Sequence, residues 1–357
     1  MISVPTKAFA APDCVISHSE QFAALGSHAL IITGRSSSRL NGSLDDVISA
    51  LSKHSIAYTI FDRVEENPSV ETVMDAREKG LECGADFVIG VGGGSPLDAA
   101  KAIALMMKNR DKTWEYLYEA GEAEALPVAA VPTTCGTGSE VTGVAVLTRH
   151  DLKTKVSMKH KVFPEVALID GKYLITAPKK LIANTAVDAL AHYIESAVNT
   201  LFDPDRDIHL FKGLKEWSEC RPYIEGKAEL TPDAALKLMR ASCYAGLSIA
   251  FTGTTIPHSL SYMLTYEAGI PHGAAVGAFQ GKYLKYADKD RRREVLDAAG
   301  FADTDELRSF ISAAAPVEAD RELLERSAES VMKNAAKLAL CPYKIDEKIM
   351  ADIIDLR

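Results

Sequence analysis

The stretch Phe87–Lys101, FVIGVGGGSPLDAAK, decides the fold. Its first five residues are a short apolar run bounded by glycine, the pattern of a buried strand. Gly92-Gly93-Gly94-Ser95 follows at once, and Pro96 to Met107 then reads as helix. Pro96 suits a first helical turn, where its missing N–H costs nothing. Outward from this strand–turn–helix unit the same alternation repeats. His28–Thr33 (HALIIT) is a strand followed by the loop Gly34-Arg35-Ser36-Ser37-Ser38. Leu44–His54 has helical periodicity, and Ala57–Phe61 is another strand. Asn67-Pro68 breaks the chain before a helix over Val70–Cys83. Val128–Val131 is a strand ending at Pro132-Thr133-Thr134, and the character of the chain changes after Ala167–Asp170. Strands separated by helical crossovers make a parallel sheet with helices on both faces. From about Pro178 onward long helical stretches replace the strands. The expectation is an α/β domain over residues 1–174 and an all-α domain over 175–357.

The bulk composition narrows the function. The chain has 357 residues, 47% hydrophobic and 25% charged, as a globular protein does. A formal net charge of -9 argues against nucleic acid as the main partner, which would need a basic face. The basic run Lys289–Arg293 reads as a solvated helix face. No apolar run approaches the roughly 18–20 residues of a membrane span, and the N-terminus lacks the order of a signal peptide. Cys14, Cys83, Cys135, Cys220, Cys243 and Cys341 are widely spaced and form no C-x-x-C pair. Reduced thiols in a cytoplasmic protein fit that spacing.

Two turns and one helix carry the chemistry. Gly92–Pro96 lets backbone approach a phosphate closely, and the N-terminus of the following helix favours negative charge. It is not G-x-G-x-x-G, and the same turn also serves purely structural ends. Asp98 either complements the helix dipole or hydrogen-bonds a cofactor, while Lys101 reads as a surface charge. Thr133-Thr134-Cys135-Gly136-Thr137-Gly138-Ser139-Glu140 is a second turn at a strand's carboxyl end, where open parallel sheets bind ligands. Cys135 reads there as an inert small residue. Asn184–Thr200, NTAVDALAHYIESAVNT, reads as a helix with Asn184 or Thr185 as N-cap. Asp188 and His192 leave one face of it a turn apart, a pairing that is either coincidence or half of a metal site. His258 and His272 each follow a proline, so they sit at chain breaks. Three imidazoles and a carboxylate make a first shell with room for a substrate oxygen. His18, His28, His54, His150, His160 and His209 read as structural.

GGGSPLDAAKAIAL, PTTCGTGSEVT, VDALAHYIESAV and IPHSL…IPHG, in this order and spacing, resemble the iron-containing (group III) alcohol dehydrogenases. The tail CPYKIDEKIMADII resembles that family's closing helix. The resemblance implies a dinucleotide-binding α/β domain of Rossmann-like, dehydroquinate synthase-like type, and a helical domain, with the active site in the cleft between them. It implies Asp188, His192, His258 and His272 as ligands of Fe(II), with Zn(II) as the alternative. It places Gly93, Gly94, Ser95 and Asp98 on the pyrophosphate and nicotinamide side. Thr133, Thr134 and Thr137 fall on the second cofactor loop, Lys155 at the cofactor ribose, and Asn67 on the cofactor side. The implied reaction is hydride transfer between a small alcohol or aldehyde and NAD(P)(H), in a cytoplasmic homodimer.

Two positions depart from the family. Tyr262 stands where many relatives carry a second histidine for proton relay. A phenol can pass a proton through a water but is a poorer shuttle at neutral pH, so Tyr262 is a candidate catalytic residue and the proton route stays open. After the first strand, NAD-preferring relatives place an aspartate, whereas this chain has Gly34, Arg35 and Ser36. Removing that carboxylate favours a 2′-phosphate, which Arg35, Arg39 and the serines could bind, so NADP(H) is expected over NAD(H). A glycerol dehydrogenase-like zinc enzyme, a dehydroquinate synthase-like lyase and a non-catalytic metal or nucleotide binder are the competing readings.

Overall fold

A computed structural model describes residues 4–356. The chain forms two compact units. One holds the stretch up to Ala177 together with Leu230–Cys243, and the other holds Pro178–Glu229 and the chain from Tyr244 onward. The division is therefore not a single cut in the sequence.

The first unit is built on a six-stranded, wholly parallel sheet. Its strands are β1 (Lys7–Ala10), β2 (His28–Thr33), β3 (Ala57–Phe61), β4 (Phe87–Gly92), β5 (Val128–Pro132) and, after two others, β8 (Val166–Ile169). They lie in the order β1-β8-β5-β4-β2-β3. Side chains alternate across it: Leu30, Ile32 and Val88 pack on one face with Ala99 to Met107, while Ala29, Ile31 and Ile89 pack on the other with Leu44, Val47 and Leu51. Burial on both faces is why β2, β4 and β5 are unbroken apolar runs. An edge strand and a hairpin lie outside the expected set. β1 is a four-residue edge strand with mostly exposed side chains, held by β8 alone. β6 (Val146–Arg149) and β7 (Thr154–Ser157) form an antiparallel hairpin apart from the main sheet.

Sheet order sets the turns side by side. Thr33 of β2 pairs with Val91 of β4, and Gly92 of β4 pairs with Pro132 of β5. The loops after β2, β4 and β5 therefore leave the same carboxyl edge as neighbours, with β4 in the middle.

The second unit is helical. Its Lys179–Ala197 helix is buried almost without interruption from Ile182 to Ala197. It starts after Pro178, five residues before the expected cap. Asn184 and Thr185 do not cap it; Thr185 Oγ1 instead donates back to the Leu181 carbonyl at 3.0 Å. Proline already ends the preceding chain there, so no side-chain cap is needed to start the helix. The helices Ile256–Ala268 and His272–Lys285 complete the part that matters for chemistry. The Lys289–Arg293 run opens the helix Lys289–Ala299, which buries Val295, Leu296 and Ala299 and leaves Lys289 and Arg293 exposed. Among the described residues no helix is long and apolar enough to cross a membrane.

Candidate active site

In the helical unit four expected ligands converge. Asp188 and His192 project from one face of the Lys179–Ala197 helix, while His258 and His272 lie in the first turns of their own helices. Asp188 Oδ1 is 3.9 Å from His192 Nε2, 3.6 Å from His258 Nε2 and 3.8 Å from His272 Nε2. Donors bound at about 2.1 Å to one tetrahedral ion stand about 3.4 Å apart, close to this spacing. Asp188, His258 and His272 each offer a donor atom, all within 4.8 Å of one another. His192 stacks on His258 with ring centroids 4.6 Å apart.

The approach of the His272 helix depends on one residue. A Cβ on Gly273 would lie 1.9 Å from the Asn184 carbonyl oxygen and 3.2 Å from Asp188 Cβ. Only glycine lets backbone come this close, and that closeness delivers His272 to Asp188.

The donor set suits a divalent ion. Asp188 Oδ1 and His258 Nε2 are buried and have no hydrogen-bond partner among the described residues. Two such atoms facing each other at 3.6 Å are costly unless something satisfies both. Burial would push the Asp188 carboxyl up, but the imidazoles of His192, His272 and His258 outweigh it and hold it well below the usual carboxylate range. The candidate donor atoms are one carboxylate oxygen and three imidazole nitrogens. Tyr262 sits one turn beyond His258, half-buried, its ring 6.4 Å from that of His272.

The α/β unit holds the expected cofactor residues. The helix Gly94–Lys108 has Gly93 as N-cap with no side chain bonded to its first amides, which leaves those N–H groups for an anion. A Cβ on Gly94 would meet Thr137 Cγ2 at 2.7 Å, so the two turns touch. Asn67 has φ 57°, and its N–H donates to Ser95 Oγ at 3.0 Å. Lys155 Nζ reaches Asn67 Oδ1 at 3.1 Å. Asn67, Ser95 and Lys155 are thereby brought together from three segments beside the glycine turn. Thr133 and Cys135 are buried. Arg35 and Ser36 are exposed beyond Gly34, and Arg39 pairs with Asp62 at 3.2 Å.

Asp98 has both oxygens engaged within the protein. Oδ1 accepts from Ser139 Oγ at 2.5 Å, and Oδ2 accepts from the Val146 N–H at 2.8 Å. Lys101 corrects the sequence reading, because it is fully buried rather than a surface charge. Its Nζ donates to the carbonyls of Ser139, Thr142 and Val144 at 2.9, 3.2 and 2.6 Å, and lies 3.4 Å from Asp98 Oδ1. Burial pulls its pKa down, against the pull of Asp98 and Glu140. Together the pair pins the Ser139–Val144 segment and the start of β6 to the glycine-turn helix.

The iron-containing alcohol dehydrogenase family model matches residues 5–171, and the model of the Fe-containing alcohol dehydrogenase C-terminal region matches residues 182–351. The chain belongs to the iron-containing alcohol dehydrogenase family. A solved iron-containing alcohol dehydrogenase of Thermotoga maritima is 34% identical, with 99% of this chain and 98% of that one covered at a TM-score of 0.90. An NADPH-dependent butanol dehydrogenase of Clostridium saccharobutylicum is 30% identical over 74% of this chain and 69% of its own. An NADH-dependent butanol dehydrogenase A of Clostridium acetobutylicum is 28% identical over 81% of this chain and 75% of its own. As a member of this family, the chain is a metal-dependent alcohol/aldehyde oxidoreductase. The polyol dehydrogenase, lyase and non-catalytic readings are not favoured.

Sequence reasoning missed the residues that hold the candidate ligands. Ser261 Oγ donates to the His258 carbonyl at 2.7 Å and lies 3.3 Å from His272 Nδ1. Its lone pair thus faces His272 Nδ1. On the other side Glu195 holds His258. No sequence signal marks Ser261; Glu195, seven residues after Asp188, shares the ligand face, and its spacing is a usable signal.

Proposed function

We propose that this chain reduces small aldehydes, and oxidises the corresponding alcohols, with NADP(H) preferred over NAD(H). The proposed ligands of the ion, Fe(II) before Zn(II), are Asp188, His192, His258 and His272. The observation that carries this is one buried carboxylate oxygen with three imidazole Nε2 atoms 3.6–3.9 Å away. When bound, the ion withdraws electron density from an alcohol or carbonyl oxygen, and the nicotinamide takes or gives the hydride.

The chain's own residues do the rest. Asp188 supplies one negative charge, so a divalent ion keeps net positive charge toward substrate. The first amides of the Gly94–Lys108 helix, with Gly93, Gly94 and Ser95, receive the pyrophosphate. Asn67 and Lys155 take the ribose side, with Thr133, Thr134 and Thr137 along the second turn. Asp98 acts at the nicotinamide end through the loop it anchors. Tyr262, its ring 6.4 Å from that of His272, is the candidate proton carrier. Arg35 supports the NADP(H) preference, since Gly34 and Ser36 bring no carboxylate against a 2′-phosphate and Arg35 forms no ion pair with any described residue. We further propose a cytoplasmic homodimer. Six cysteines that form no disulfide among the described residues support that compartment.

The test is reconstitution with Fe(II), then NADPH or NADH and a panel of aldehydes, following loss of reduced nicotinamide absorbance. Turnover that requires the ion and has the higher kcat/KM with NADPH is expected. Metal-independent turnover, or none with any aldehyde, refutes the activity; a higher kcat/KM with NADH refutes the preference.

A further inference from the structure

We infer that Glu195 is a positioning residue for the metal centre, setting the tautomer and ring direction of His258 so that Nε2 presents a lone pair to the ion. The inference rests on the metal reading above.

Glu195 is wholly buried on the same helix as Asp188 and His192. Its carboxylate accepts four hydrogen bonds from two other segments. Oε2 accepts from the Thr255 N–H at 2.6 Å and from Thr255 Oγ1 at 2.8 Å. Oε1 accepts from Gln280 Nε2 at 2.8 Å and faces His258 Nδ1 at 2.5 Å. The three Thr255 and Gln280 contacts are donors, so the carboxylate has only acceptor roles to play. The His258 contact must then be Nδ1–H donating to Oε1. In a neutral imidazole that leaves Nε2 unprotonated. Nε2 is the atom that lies 3.6 Å from Asp188 Oδ1 without a hydrogen-bond partner among the described residues.

The arrangement is more than packing. Thr255 N-caps the His258 helix by position but not by side chain: its Oγ1 goes to Glu195, as does its N–H. Gln280 stands eight residues along the helix that starts at His272. Glu195 therefore joins the three helices that bring the four ligands, two turns from Asp188 on its own helix. A buried carboxylate of this kind is expensive unless every acceptor site is used, and here both oxygens are doubly engaged. Outer partners of metal-bound imidazoles typically control affinity by about 10–100-fold.

Glu195→Gln keeps the shape and inverts the pattern. The amide oxygen can still serve Thr255, but the amide nitrogen then faces Gln280 Nε2 and His258 Nδ1. His258 must accept at Nδ1, which moves its proton to Nε2 and blocks ligation. Zn(II), a redox-inert probe, is titrated into the metal-free full chain against a chromophoric chelator, and histidine ring nitrogens are followed by NMR. The expected result is a Kd for Zn(II) weakened about 10–100-fold, with a proton on His258 Nε2 of the Zn(II)-treated variant where the Zn(II)-loaded parent has none. Ser327→Ala removes a buried hydrogen bond to the Leu260 carbonyl on the same helix and serves as the control for plain destabilisation; its Kd should stay within about threefold of the parent. A folded Glu195→Gln protein whose Kd stays within that same factor, or whose His258 Nε2 is unprotonated, overturns the inference. Should Glu195→Gln yield no folded protein, the Zn(II)-loaded parent decides: NMR is expected to place the ring proton of His258 on Nδ1, and a proton on Nε2 instead overturns the inference. If the parent itself does not bind Zn(II), it is the metal reading that fails, and Glu195 loses its role with it.

Discussion

Gly273→Ala tests whether helix packing, rather than ligand identity alone, makes the metal centre. The new Cβ would stand 1.9 Å from the Asn184 carbonyl oxygen and 2.8 Å from its carbon, against a floor near 3.0 Å for real contacts. Asn184 is backbone inside a buried helix, so no flexible side-chain end can swing away. The His272 helix must retreat by about 1.1 Å, an overpacking strain of about 1–3 kcal/mol. His272 is the neighbouring residue and moves with it, away from Asp188 Oδ1, now 3.8 Å from its Nε2. Metal–ligand bonds tolerate about 0.2 Å, so this shift would remove one of the four proposed ligands. The expected outcome is a lower urea midpoint for the metal-free chain and a Zn(II) Kd at least about 100-fold weaker, since losing a ligand should cost no less than losing an outer partner. A variant that unfolds with the parent and binds Zn(II) as tightly would refute the packing argument. A variant that is destabilised but binds normally would show that His272 is not a ligand.

The α/β unit gives three further expectations. Lys101→Met strips the donor from three carbonyls and leaves the Asp98 carboxylate without its buried cation; a loss of about 3–5 kcal/mol should appear as a lower unfolding midpoint, with a raised KM for NADPH. Burial pushes the Glu140 carboxyl up from 4.5 to about 7, against Lys101, so the native state keeps a proton that the unfolded chain releases. Stability from this group is therefore complete below pH 4.5 and is lost as pH rises to about 7; Glu140→Gln should flatten urea midpoints across that window, and an unchanged slope would contradict the buried-acid assignment. Arg35→Ala should lower kcat/KM for NADPH by about 10–100-fold, the worth of a charge-assisted hydrogen bond of about 1.5–3 kcal/mol, while leaving NADH unaffected; equal losses with both cofactors would remove Arg35 from 2′-phosphate recognition.

The parts of the fold legible in sequence are those whose burial is symmetrical. β2 and β4 are covered on both faces, so nearly every residue is apolar and the strand shows as a run. β1 is short and pairs on one side only, and KAFA carries no period. The β6–β7 hairpin turns through His150-Asp151-Leu152-Lys153, with Lys153 at φ 51°. No glycine or Asn-Gly pair announces that turn, so the usual hairpin signal is missing. Lys101 defeats the local pattern for a different reason. Its helix is buried on nearly every side, with Ala99, Ala100, Ala102 and Ile103 all inaccessible. A lysine there cannot reach water, but its carbonyl partners lie about forty residues downstream, beyond what local pattern reveals.

The candidate site divides along a similar line. Asp188 and His192 are visible because helical spacing puts them on one face, and His258 and His272 because histidine is scarce and each follows a proline. Glu195 continues that face at seven residues from Asp188, set among the buried apolar residues Tyr193, Ile194 and Ala197. A third ionisable side chain on the buried face of a helix has no solvent to satisfy it, so it must find partners inside. Helical spacing and the cost of burying a charge are enough to reach that point. They do not reach the partners themselves: Thr255 and Gln280 are 60 and 85 residues away and belong to residue types common everywhere. Ligand atoms are chemically rare and leave a mark in sequence. Ring direction is set by ordinary amides and hydroxyls, so it is decided by how the three helices meet.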